Sequence, residues 1–144
     1  MFSQTSVAKK NNLKDLAGKQ IISSTFDNGG NPYIICFWGR ESYNSHDFLN
    51  VVAGQYKNWQ NETGVKIITI AVEEAANRGK VLPFIQSKGW DYEYYIDEDQ
   101  GYKNLMQVYD IPHIFVFNGN KQMVLQLQSF QAGDELAIYE ALKK

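Results

Sequence analysis

Cysteine is nearly missing from this chain: 144 residues contain one, Cys36. A lone thiol excludes an intramolecular disulfide, and a structural zinc site needs more ligands than the chain offers. Cys36 sits inside the apolar run Ile34-Ile35-Cys36-Phe37-Trp38, where its expected role is that of a small buried hydrophobe. An excess of charge of one sign is missing too. Lys and Arg number 14 against 16 Asp and Glu, for a net charge of −2. No basic face is implied, so nucleic acid is not an expected partner. No apolar run approaches the roughly 20 residues that span a bilayer, so no membrane span is expected. The stretch Met1 to Lys10 is polar and has no apolar centre, so no secretory signal is read there; a secreted protein trimmed of its signal would read the same way. Nothing in the composition calls for a metal or another cofactor.

Apolar material is plentiful. Hydrophobic residues make up 44% and aromatics 14%, enough for one core in one domain. The expected division is a flexible leader over residues 1–11 and a single domain over residues 12–144. Leu16-Ala17-Gly18-Lys19 reads as a turn leading into a short strand at Gln20 to Ser23. Asp27-Asn28-Gly29-Gly30-Asn31-Pro32 is turn chemistry. Tyr33 to Trp38 is a continuous apolar run, the pattern of a strand covered on both faces.

A helix should follow, capped by Ser42 or Asn44, with Phe48, Leu49, Val52, Tyr56 and Trp59 on one apolar stripe. Gly64 should end it, and Val65 to Val72 reads as the next buried strand. The pattern from Lys80 to Lys88 predicts a second helix, with Pro83 in its first turn, Val81, Leu82 and Ile85 inward, and Gly89 as the stop. Tyr92 to Ile96 reads as a short strand, with one tyrosine face in the core. Gln100 to Tyr109 reads as a third helix, preceded by the acids Asp97-Glu98-Asp99, which favour a helix start. Strand His113 to Phe117, the turn Asn118-Gly119-Asn120 and strand Gln122 to Gln128 form a hairpin, and a last helix runs from Gly133 to Lys143. The order is α/β, and the terminal hairpin makes the central sheet mixed, with helices on both faces.

The segment from Tyr33 to Ser45 resembles the F-W-x-x-W-C-x-x-C segment of the thioredoxin superfamily, with serine at both cysteine positions. Three further features carry the resemblance, which points to the TlpA/ResA-type branch. Asp110-Ile111-Pro112-His113-Ile114-Phe115-Val116 is similar to the family's V-x-x-x-P-T-x-F-x segment, whose proline is cis. The start carries a Leu-x-Gly-Lys turn, and a helical segment is added after Val72. The resemblance implies a thioredoxin-like fold and thiol–disulfide exchange with protein thiols and disulfides, in a monomer outside the cytoplasm. It places Ser42 at the nucleophile's position and Ser45 at the resolving one. It puts Glu74 beside the site as an acid that ResA-type proteins hold there. It also implies a substrate surface of Trp38, Glu41, Tyr43, Ile111, Pro112 and His113. Glu41 departs from the family's tryptophan, and Cys36 stands where thioredoxins carry a buried acid.

A thiolate at a helix start is stabilised by unpaired N–H groups and the helix dipole. A serine hydroxyl there caps the helix but is a poor nucleophile unless a base activates it. The chain as written is therefore expected to be redox-inactive. Two explanations stand side by side. Either the serines are native, in a non-catalytic module that binds extended peptide or protein partners at the cis-proline groove, or they replace a parent Cys-Tyr-Asn-Cys segment. The histidines His46 and His113 both fall near the site by this alignment. A Ser42–His46–Glu74 hydrolytic set and an adventitious metal site are conceivable from the residues alone, with solvated or capping histidines as the plainer reading.

Overall fold

The computed structural model describes residues 13–144. The leader expected over residues 1–11 lies outside the described residues.

Six strands form one sheet. They are β1 (Leu13–Asp15), β2 (Tyr33–Trp38), β3 (Lys66–Val72), β4 (Glu93–Asp97), β5 (His113–Phe117) and β6 (Met123–Leu127), in the order β1-β4-β3-β2-β5-β6. Strands β2, β3 and β4 are parallel; β1 runs antiparallel to β4, β5 to β2, and β6 to β5. The helices are α1 (Tyr43–Thr63), α2 (Val81–Lys88), α3 (Gly101–Leu105) and α4 (Asp134–Leu142), with 3-10 turns at Ser23–Thr25 and Ala75–Lys80. This is the mixed α/β sheet that the sequence pattern predicts, in the thioredoxin-like order that the resemblance implies.

Central strand β2 is buried along its whole length. Its period of two sends Ile34, Cys36 and Trp38 into one apolar cluster, and Tyr33, Ile35 and Phe37 into another. The first cluster is roofed by α1 through Phe48, Leu49, Val52 and Trp59, by α2 through Val81 and Ile85, and by α4 through Ile138, Ala141 and Leu142. The second is closed by Tyr102, Met106 and Val108 from α3 and the turn after it. Helix α1 stops where Gly64 takes φ +74°, a left-handed value that costs glycine nothing.

Three details depart from the sequence reading. The strand expected at Gln20 to Ser23 shrinks to one bridge from Gln20 to Lys14, because Leu13–Asp15 takes the free edge of β4. Leu82 is exposed: helix α2 presents Val81 and Ile85 to the core, and Leu82 points away beside Pro83. Helix α3 ends at Leu105, short of the expected Tyr109. Gln107 turns left-handed at φ 58°, and the N–H groups of Gln107 and Val108 donate back to the carbonyls of Asn104 and Lys103, which closes the helix. Its start follows expectation. The Asp97 carboxylate accepts from the N–H groups of Tyr102 and Lys103, at 3.1 and 2.7 Å.

Candidate functional site

Helix α1 begins where β2 ends, so its N-terminus stands at the C-terminal edge of the parallel strands. Ser42 is its N-cap, with extended backbone at φ −97°, and its Oγ accepts from the N–H of Ser45 at 3.2 Å. The Ser45 hydroxyl donates to Ser42 Oγ at 2.9 Å and accepts from the Gly39 N–H at 3.3 Å. Ser42 is half-buried and Ser45 is buried. Of the two spaced positions, one meets solvent and one lies beneath it. Asn44 fixes this helix start to the loop after β6, donating to the Phe130 carbonyl at 2.8 Å and accepting from its N–H at 3.1 Å.

A second segment faces the serines. The Ile111–Pro112 peptide bond is cis. Ile111 joins Gly39, Arg40, Glu41, Ser42, Val72 and Glu73 in lining a shallow cleft of about 300 Å³. Pro112 is buried behind it.

Electrostatics at the cleft turn on a residue that sequence reasoning missed. Arg40 Nε and Nη2 donate to the two carboxylate oxygens of Glu73, at 3.2 and 3.4 Å. Both side chains are largely shielded, at 19% and 10% exposure, so this pair is held more firmly than an open surface ion pair. Glu73 thus occupies the place expected of Glu74. Glu74 is exposed and begins the following 3-10 turn. The sequence carried a signal for both acids, the pair Glu73-Glu74 directly after a buried strand, but not which one turns toward the helix start.

Other expected residues separate. Trp38 is fully buried, stacked on Phe84 and edge-on to Trp90, and is absent from the lining of the cleft. Its indole N–H is, among the described residues, the buried side-chain donor without a hydrogen-bond partner. Glu41 and Tyr43 stand in solvent, at 86% and 84% exposure. His46 and His113 lie on opposite faces of the sheet. His46 packs on Phe84 and Trp90, above the cluster that α1 and α2 cover, and its Nε2 lies 2.8 Å from the Arg40 carbonyl. A carbonyl only accepts, so that nitrogen carries the proton. His113 is buried on the other face, stacked on Phe115, with Nε2 2.7 Å from Gln126 Oε1. Burial lowers its pKa from the ordinary value, and the Gln126 contact offsets part of that shift.

Among the described residues neither histidine turns to the Ser42 hydroxyl, which bonds with Ser45. The hydrolytic set of Ser42, His46 and Glu74 is not assembled. Among the described residues no group of three or more His, Cys, Asp or Glu is placed to hold a metal ion. Cys36 is fully buried under α1, and burial pushes its thiol pKa far up, so it is neither nucleophile nor ligand as placed.

A scan of protein-family models gives no match to this chain, and no curated protein matches it. Solved structures do. An uncharacterised thioredoxin-like protein from Porphyromonas gingivalis is 30% identical with a TM-score of 0.81, over 91% of this chain and 86% of that one. StoA from Bacillus subtilis shares the fold at 18% identity and a TM-score of 0.68, over 89% and 93% of the two chains. A secreted disulfide oxidoreductase from Mycobacterium tuberculosis, homologous to E. coli DsbE, shares it at 13% identity and 0.73, over 98% of each chain.

Proposed function

Because this chain belongs to the thioredoxin-like family, we propose that it keeps a thiol–disulfide oxidoreductase's binding cleft and lacks the redox step. The observation that carries this reading is the Ser42–Ser45 pair at the start of α1, with oxygens 2.9 Å apart beside the Ile111–Pro112 segment. Disulfide exchange needs a thiolate that attacks sulfur and a second thiol that resolves the mixed disulfide. Neither position supplies sulfur, and Cys36 is sealed below them. What remains is a shallow groove beside the cis-proline that takes an extended polypeptide segment, with Ile111 on one side, backed by the buried Pro112, and Glu41, Ser42 and the exposed Tyr43 on the other.

The partners of this reading are protein segments. Among the described residues no helix is long and apolar enough to cross a membrane. We place the protein outside the cytoplasm as a monomer built on one domain over residues 12–144, of TlpA/ResA type. The branch and the compartment rest on the sequence resemblance, and the compartment also on the secreted mycobacterial neighbour.

Insulin reduction by dithiothreitol, followed by turbidity, tests the redox half. The expected rate equals the dithiothreitol blank, and turnover above it would overturn the reading. A second reading is favoured by the burial difference between the two serines, which suits an attacking position in contact with solvent and a resolving one below. In it, the segment descends from Cys-Tyr-Asn-Cys, and the parent protein exchanges disulfides.

A further inference from the structure

The rim of the cleft is much more acidic than the chain that carries it. Three segments form this end of the molecule: residues 39–47 around the start of α1, residues 72–74 at the end of β3, and residues 109–113 around the cis-proline. They hold five carboxylates, Glu41, Asp47, Glu73, Glu74 and Asp110, against one cation, Arg40. The chain as a whole is only −2, so the rest of it is net positive and the negative charge is concentrated here. Arg40 is shared within the rim: its Nε and Nη2 donate to Glu73, and Nη2 also lies 3.8 Å from Glu41 Oε1, so this one cation stands against all five carboxylates.

Four of these carboxylates face water, and the long Arg40 contact leaves Glu41 among them, since an ion pair that open is weak. Glu41 is 86% exposed, and Asp47, Glu74 and Asp110 are exposed as well. Two aromatic side chains in the same segments have little cover, Tyr43 at 84% and Tyr109 at 83% exposure. Tyr43 adjoins Ser42 in the chain, and Tyr109 precedes the Asp110-Ile111 step that leads into the cleft. The N-terminus of α1 pulls the other way, since its dipole favours an anion. Ser42 already caps that end, and the exposed carboxylates around it repel an incoming negative charge.

We infer that the cleft selects extended segments carrying Lys or Arg on either side of the residue that meets Ser42. Their ammonium or guanidinium groups would face Glu41 and Asp110, and their aliphatic stems would lie on Tyr43 and Tyr109. This inference rests on the cleft-binding reading above and adds the class of ligand. Lys and Arg suit such a rim because a charged head can meet a carboxylate while its stem or charge lies against an aromatic ring. Opposed potentials also speed encounter and reject acidic competitors.

The test uses the full chain and two fluorescein-labelled extended peptides, identical except that Lys in one is Glu in the other. Fluorescence anisotropy at low salt should show the Lys peptide binding about tenfold tighter, a difference of about 1.4 kcal/mol. Molar salt should close most of that gap, because it screens exposed charges beyond about 3 Å. Glu41→Gln combined with Asp110→Asn changes only exposed side chains and should remove the preference while leaving some binding to both peptides. Tyr43→Ala with Tyr109→Ala should weaken both. Equal binding of the two peptides, or a Lys preference that survives the Glu41 and Asp110 changes, would overturn the charge selection and leave the cleft reading standing. If neither peptide binds, the cleft reading falls and the selection falls with it.

Discussion

A methyl group placed on Gly39 would lie 2.5 Å from Cδ1 of Ile111. Real Cβ atoms do not sit that close to a neighbour. Gly39 has no positive φ, so the constraint is space and not backbone strain. The missing side chain lets the segment before the cis-proline close down on the loop that leads to Ser42, and the two walls of the cleft meet there.

Gly39→Ala should therefore force the Ile111 side chain aside. Overpacking of this kind costs about 1–3 kcal/mol. Ile111→Val removes the offending carbon, so the double variant should recover most of the loss. Urea midpoints measure both. A single variant as stable as the parent, or a double variant no better than the single, would contradict the close approach.

Ser42→Cys with Ser45→Cys should create a redox-active pair. Position 42 is half-buried at a helix N-cap, where the Ser45 N–H already donates to it, while position 45 is buried. The thiol introduced at position 42 should titrate below the free-cysteine value of about 8.5, and alkylate first. Thiolate absorbance against pH decides this. Two thiols that both titrate near 8.5 would remove helix-start stabilisation from the argument.

Glu73, not Glu74, should set the pKa of that restored thiol. Glu73 shares the cleft with Ser42, and its loss would also leave the Arg40 charge uncompensated nearby. Both effects favour the thiolate, so Glu73→Gln in the double-cysteine variant should lower the pKa. Glu74→Gln should leave it within a few tenths of a unit, because an exposed charge is screened by solvent. The reverse ranking in the same titration would return Glu74 to the site.

His113 should make stability fall at mildly acidic pH. Burial lowers its folded pKa below the ordinary histidine value of about 6.5. Below that value the unfolded chain takes up the proton before the fold does, so stability is full above about 6.5 and is lost as pH falls through the folded pKa. His113→Gln should flatten the change in urea midpoint between pH 7 and pH 5. A variant with the parent's slope would show that His113 does not carry the dependence.

Much of this was legible in the residues. Helix α1 announced itself by the stripe from Phe48 to Trp59 and by Ser42 and Gly64 at its ends, and the apolar run of β2 announced a strand buried on both faces. These are local signals, written by periodicity and by backbone chemistry within one segment. The failures share a different cause. Leu82 is apolar and at a plausible spacing, but a helix of eight residues has room for a narrow buried face, and Val81 and Ile85 fill it. Helix α3 is ended by a left-handed Gln107, a conformation that side-chain type alone does not disclose.

By itself the sequence determined which segments become strands and helices, that the site has hydroxyls where the family has thiols, and that one cysteine allows no intramolecular redox cycle. Those facts are covalent or local. Only the tertiary structure decided that Glu73 reaches Arg40 while Glu74 faces water, because adjacent residues at the end of a strand point opposite ways. It also decided that His46 and His113, each next to a site residue in the chain, stand on opposite faces of the sheet. A side chain's face depends on pairing between strands far apart in sequence, and that pairing brings Ile111 onto Gly39 and makes a cleft of two segments that no local pattern joins.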